Sequence, residues 1–344
     1  MGAQVHVALK GKAVWDFARG EARRGVPMAS DTLMLWLSCS KPVAAVGIAQ
    51  LAERGLLTFD DLVCQHIPEF AANGKEGVRI RHLLNHTAGF PHMATDLRPR
   101  PWDESIAEIC AAPLEPDWAP GMRAGYHLSA SWFMLGELIR RLDGRDYPLY
   151  VREAIFLPLG MYDCWIGMPR EQYRRYGARI GRMHNRKEGE LAPMRLDCEE
   201  GAECCRPGIN GYGSMWELGR FYQMILNGGE LEGRRVLERE SVRALTARSR
   251  EGMYDETFRH KLDWGLGFAC DSNRYGLKTV PHSFGAHCSE QTVGHSGSQS
   301  STGYCDPRHG LVVCAVLNGR PGMPKNNRRF RLLNNAIYED LGLA

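Results

Sequence analysis

A chain of 344 residues that is 44% hydrophobic and 24% charged has the composition of an ordinary globular enzyme, with length for one large domain or two interleaved ones. A net charge of +3 without a basic stripe argues against a nucleic-acid partner, and no apolar run approaches the ~18 residues of a membrane span. The opening Met1-Gly2-Ala3-Gln4-Val5 has neither a charged segment feeding an apolar core nor a myristoylation signal, so a cytoplasmic protein with its 11 cysteines reduced is expected.

Residues 5–9 and 13–17 flank Lys10-Gly11-Lys12 and predict a hairpin over 3–21. The apolar run 33–37 leads into Ser38-Cys39-Ser40-Lys41-Pro42 and a helix over 42–55, with Pro42 in the first turn where its missing N–H costs nothing. Ser38 and Lys41, three apart at a helix start, share one face. A serine hydroxyl becomes a useful nucleophile when a base takes its proton, and a lysine is that base once burial lowers its pKa from ~10.4. Alone, the pair reads more simply as a capping serine and a solvated lysine. Cys39 is a second candidate nucleophile, with a small buried residue as its simpler role.

Further along, residues 80–91 read as a helix broken by Gly89 and Pro91, and 92–120 as Pro-rich, acidic and irregular. Tyr126-His127-Leu128-Ser129 precedes an amphipathic helix over 133–142 that stops at Asp143-Gly144. Another helix spans 147–157, and 169–206 reads as a long polar loop or a small excursion. The loop's Cys198, Cys204 and Cys205 lack the paired spacing of a zinc site, so no metal or cofactor is expected. A Gly-rich turn at 208–215 feeds helices over 216–226 and 241–247. Residues 264–269 read as a strand, His295-Ser296-Gly297-Ser298 follows, residues 311–318 form an apolar central strand, and a basic helix covers 325–342. Strands at both ends and helices between them predict an α+β fold. Its sheet domain would comprise 1–65 and 207–344, with a mainly helical domain inserted over 66–206 and a site in the cleft.

The ordered set Ser38-x-x-Lys41, Tyr126 and His295-Ser296-Gly297 resembles the serine β-lactamase and penicillin-binding-protein superfamily, in its class C-like esterase branch. His86-Thr87-Ala88-Gly89, Pro120-Gly121, Pro158-Leu159-Gly160-Met161 and Gly211-Tyr212-Gly213 extend the resemblance over residues 3–340. It implies a β-lactamase/transpeptidase-like fold, an antiparallel sheet flanked by helices. It also implies Ser38 as nucleophile, Lys41 as base, Tyr126 as proton shuttle, His295 on one wall, and an oxyanion hole from the Ser38 and Ser298 N–H groups. No helix precedes the first predicted strand, as one commonly does in that family. That strand is therefore expected at an exposed edge or under the C-terminal helix.

Two departures bear on function. The family's Tyr-x-Asn is Tyr126-His127-Leu128 here, and leucine offers no side-chain amide; a slipped reading would put His127 in the tyrosine slot and Ser129 in the asparagine slot. His127, Ser129 and Gly297 are therefore expected to support the site. His295 stands where a fixed lysine cation usually holds a substrate carboxylate. Together these imply a serine hydrolase acting through an acyl-enzyme, an esterase on small neutral esters, with a small-molecule amide as the other substrate to weigh. An acyltransferase or peptide hydrolase of the same fold, a catalytically weak binding module and a β-lactamase are the alternatives.

Overall fold

The computed structural model describes residues 1–92, 100–187 and 190–344. The expected hairpin is β1 (Gly2–Leu9) and β2 (Lys12–Arg23), closed by Lys10 and Gly11, both left-handed at φ 50° and 78°. The main sheet adds β3 (Val26–Pro27), β4 (Ala269–Cys270), β5 (Val293–Gly297), β6 (Ser301–Asp306) and β7 (Leu311–Leu317). Its order is β4-β5-β6-β7-β1-β2-β3, antiparallel throughout. Beginning and end of the chain meet at β1 and β7, where Val5 lies opposite Ala315.

The unbroken apolar run of β7 follows from burial on both faces. Val312, Cys314 and Val316 join the large core, while Leu311, Val313 and Ala315 pack with Phe330, Ile337 and Tyr338 of the C-terminal helix Met323–Asp340. That helix also covers Val5 and Val7 of β1, whereas Val14, Trp15 and Phe17 of β2 stay exposed. Helix Met215–Leu226 supplies Leu218, Phe221 and Tyr222 to the large core, and its N-terminus carries a capping box between Ser214 and Glu217. Helix Lys41–Glu53 lies close to helix Ala130–Asp143: a Cβ on Gly47 would come within 2.8 Å of Ile139.

Several expectations need correction. The segment 92–120 contains a helix, Trp102–Ala111, started by Pro101 and by Asp103 and Glu104 in its first turn; the part of that segment over 93–99 lies outside the described residues. The polar stretch 169–206 is ordered into helix Arg170–Tyr176, a hairpin of His184–Lys187 with Glu190–Pro193, and helix Glu199–Glu203. The hairpin pairs in parallel with Gly319–Arg320, a long-range contact that local polarity conceals. Only Ala269 of the strand expected at 264–269 joins the sheet, in β4, because Gly267 turns the chain at φ 85°. The helix from Ile80 ends at Leu84, before Gly89. Among the described residues no helix is long and apolar enough to cross a membrane.

Candidate active site

Leu37 adopts φ 52°, unusual for a branched residue, immediately before the turn Ser38–Ser40. Its neighbours fix it there. Trp36 donates its N–H to the Gly211 carbonyl at 2.7 Å, and Ser40 Oγ donates to the Leu37 carbonyl at 2.6 Å while accepting the Gly211 N–H at 2.8 Å. Cys39 points the other way, its thiol donating to the His295 carbonyl at 3.0 Å. Burial pushes that thiol up to about 12, so it holds no reactive thiolate at neutral pH.

Lys41 is fully buried. Its Nζ lies 3.1 Å from Ser38 Oγ, 2.9 Å from the Leu128 carbonyl and 2.9 Å from the Gly208 carbonyl. Loss of solvent lowers its pKa well below the ordinary lysine value, which favours the neutral amine. A neutral amine has two N–H donors and one lone pair. Two carbonyls take the donors, which leaves the lone pair for the Ser38 hydroxyl. The missing asparagine at position 128 is thus replaced, toward lysine, by a main-chain carbonyl. Gly208, in a turn read from sequence only as Gly-rich, supplies the other.

Tyr126 lies within side-chain hydrogen-bonding reach of Ser38 on the same cavity wall, its ring 5.1 Å from Lys41 Nζ, and burial pushes its phenol up, which keeps it protonated. Its ring lies 4.8 Å from that of Phe258 and 6.0 Å from that of His295. His127 is turned into the core: Nε2 accepts the Phe90 N–H at 3.2 Å, and burial lowers its pKa to about 3. Ser129 starts helix Ala130–Asp143, its carbonyl accepting the Trp132 and Phe133 N–H groups. The tyrosine, then, and not the histidine of the slipped reading, stands against Ser38.

On β5, the buried His295 donates from Nδ1 to the Ser296 carbonyl at 3.0 Å. Desolvation, then the nearby Lys41, lowers its pKa well below 6.5, so the ring is neutral. Gly297 lets β5 approach the turn Ser38–Ser40, since a Cβ there would overlap Ser301 Oγ and the Trp36 carbonyl. Ser298 follows, its carbonyl and hydroxyl each accepting from Arg320 at 3.1 Å. Ser38, Tyr126, His295 and Ser298 all line one cavity of about 210 Å³. The rest of its wall is largely apolar, with Leu128, Phe258, Leu262, Trp264, Val280 and Phe284. Among the described residues no group of three or more His, Cys, Asp or Glu side chains converges as metal ligands.

A serine backed by a buried lysine and a tyrosine, beside the antiparallel sheet that carries His295, defines a serine hydrolase of β-lactamase/penicillin-binding-protein fold. The chain belongs to the Beta-lactamase family, which it matches over residues 1–337. It is 28% identical to "Esterase/beta-lactamase LipL" of Mycobacterium tuberculosis, over 92% of this chain and 77% of that protein. A penicillin-binding protein homologue from Caulobacter crescentus superposes with a TM-score of 0.81 at 30% identity, covering 98% of this chain and 92% of the other. A family VIII carboxylesterase superposes at 0.77 with 25% identity, covering 96% and 92%.

Proposed function

We propose that the protein is an esterase that turns over small neutral esters through an acyl-enzyme on Ser38. The observation that carries this reading is the disposition of Lys41, whose two N–H donors are spent on Leu128 and Gly208 so that its lone pair faces Ser38 Oγ. As Oγ attacks the ester carbonyl, its proton passes to Lys41. The carbonyl oxygen takes up negative charge before the Ser38 and Ser298 N–H groups, each such donor being worth ~3 kcal/mol. When the ester C–O bond breaks, Tyr126 gives its proton to the departing oxygen and recovers one from Lys41. Water then attacks the acyl-enzyme by the same relay in reverse, releasing the acid and restoring Ser38.

The cavity supports this substrate class. Its neutral His295 and apolar wall suit an uncharged small molecule and offer no fixed cation for a carboxylate. The names of LipL and the family VIII carboxylesterase support ester hydrolysis, LipL's naming beta-lactamase beside esterase. The reaction needs no cofactor, nucleic acid or membrane as partner.

The test is intact-mass and peptide mapping after a fluorophosphonate probe. One adduct at Ser38 is expected, absent in Ser38→Ala and retained in Cys39→Ala. Labelling that survives Ser38→Ala overturns the assignment.

A further inference from the structure

Tyr126 is held from behind by a buried ion pair that takes no part in the steps above. Asp255 and Arg250 have fully buried side chains, with Arg250 donating to Asp255 Oδ2 at 2.9 Å. The other carboxylate oxygen, Oδ1, accepts the backbone N–H of Tyr126 at 3.1 Å and those of Thr257 and Phe258 at 3.0 Å each. Three further ties join the same two segments. The Glu256 N–H donates to the Ala124 carbonyl at 2.9 Å, the Thr257 hydroxyl donates to the Tyr126 carbonyl at 3.2 Å, and Phe258 packs on the Tyr126 ring. Arg250 itself donates to the Asn85 carbonyl at 3.3 Å, in the segment that leads to His86, another ring against Tyr126. Thr257 and Phe258 line the substrate cavity.

The geometry points to Asp255 as a positioning residue, through which one carboxylate, oriented by Arg250, sets both the proton-relay tyrosine and the cavity wall facing it. The inference rests on the relay role given to Tyr126 and extends it to a residue that touches neither substrate nor nucleophile. A buried carboxylate with four donors around it is a stiff anchor, because each bond is charge-assisted and none competes with water. In Asp255→Asn, Oδ1 still accepts, but an amide N–H₂ faces the Arg250 guanidinium. Two donors cannot share that contact, so the side chain turns and the Tyr126 segment shifts with it.

A displaced proton donor has a signature that general loosening lacks. p-Nitrophenolate departs without a proton at neutral pH, whereas ethoxide requires one. The experiment measures kcat/KM, which reads the steps through acylation, for p-nitrophenyl butyrate and ethyl butyrate. Tyr126→Phe sets the scale, with loss of the ethyl ester exceeding that of the p-nitrophenyl ester by ~10²-fold. Asp255→Asn is expected to lower the ethyl-to-p-nitrophenyl ratio by ~10-fold, since an ångström of misplacement at a reacting group costs up to ~10²-fold. Thr257→Val, which removes one tie and leaves the ion pair intact, should move the ratio the same way by about threefold, the effect of one lost hydrogen bond. It serves as the test should Asp255→Asn not fold.

An unchanged ratio in the folded Asp255→Asn protein, or in Thr257→Val, overturns the proposal. A Tyr126→Phe protein whose losses do not depend on the leaving group overturns the relay role itself, and the proposal with it.

Discussion

Replacing His295 with lysine tests whether charge in the cavity sets the substrate class. The wild-type ring is buried, neutral and within the field of Lys41. A lysine on the same strand brings an ammonium into a cavity of about 210 Å³ with a mainly apolar wall. Without substrate that cation is poorly solvated, and a destabilisation of ~1–3 kcal/mol is expected, seen as a lower Tm. With a carboxylate-bearing substrate the same cation gains an ion-paired hydrogen bond worth ~1.5–3 kcal/mol, or roughly 10- to 150-fold in kcat/KM. The assay compares p-nitrophenyl butyrate, which has no carboxylate, with nitrocefin, which has one. Wild type should favour the ester strongly, and His295→Lys should shift the ratio toward nitrocefin by at least tenfold. A wild type that prefers nitrocefin refutes the ester reading. A folded His295→Lys protein with an unchanged ratio refutes the electrostatic reasoning.

Gly297→Ala should lower Tm, by the equivalent of ~1–3 kcal/mol, and slow fluorophosphonate labelling of Ser38, because the new methyl overlaps the Trp36 carbonyl beside the turn Ser38–Ser40. A melt and labelling rate equal to wild type would show that β5 and the turn are not in register-locked contact. Acid should destabilise the fold through His127, whose folded pKa of about 3 lies below the unfolded 6.5. The unfolded chain therefore binds the proton first, so stability present above pH 6.5 is lost as pH falls toward 3, at about 1.4 kcal/mol per unit for this one group. Urea melts at pH 7 and pH 5 check it, and His127→Gln, which keeps an acceptor for the Phe90 N–H, should show a shallower loss.

The site was legible where side chains carry the signal. Ser38 and Lys41 could be paired from their spacing at a proline-started helix, and β7 is visible as a solid apolar run because both faces are covered. What escaped is carried by the main chain or by distant partners. Nothing about Leu128 or Gly208 as residue types announces that their carbonyls hold an amine. The helix Trp102–Ala111 was hidden by its Pro-rich approach, although Asp103 and Glu104 after Pro101 are a start signal. The hairpin at 184–193 is polar because its stabilising strand, Gly319–Arg320, lies more than a hundred residues away. Asp255 and Arg250 sit in a stretch with no motif, and only folding brings them behind Tyr126.

Holding the lysine by two carbonyls separates what the reaction requires from what variation can alter. A family asparagine would serve lysine and substrate with one side chain, so changing it would disturb both. Here the Leu128 backbone serves the lysine, while the residue, 41% exposed, lines the cavity. Position 128 can therefore be exchanged among residues of different size and polarity while the amine keeps both its acceptors. For directed evolution it is the natural first site to randomise, a dial on acceptance of new esters set beside a reaction centre that it holds through the main chain alone.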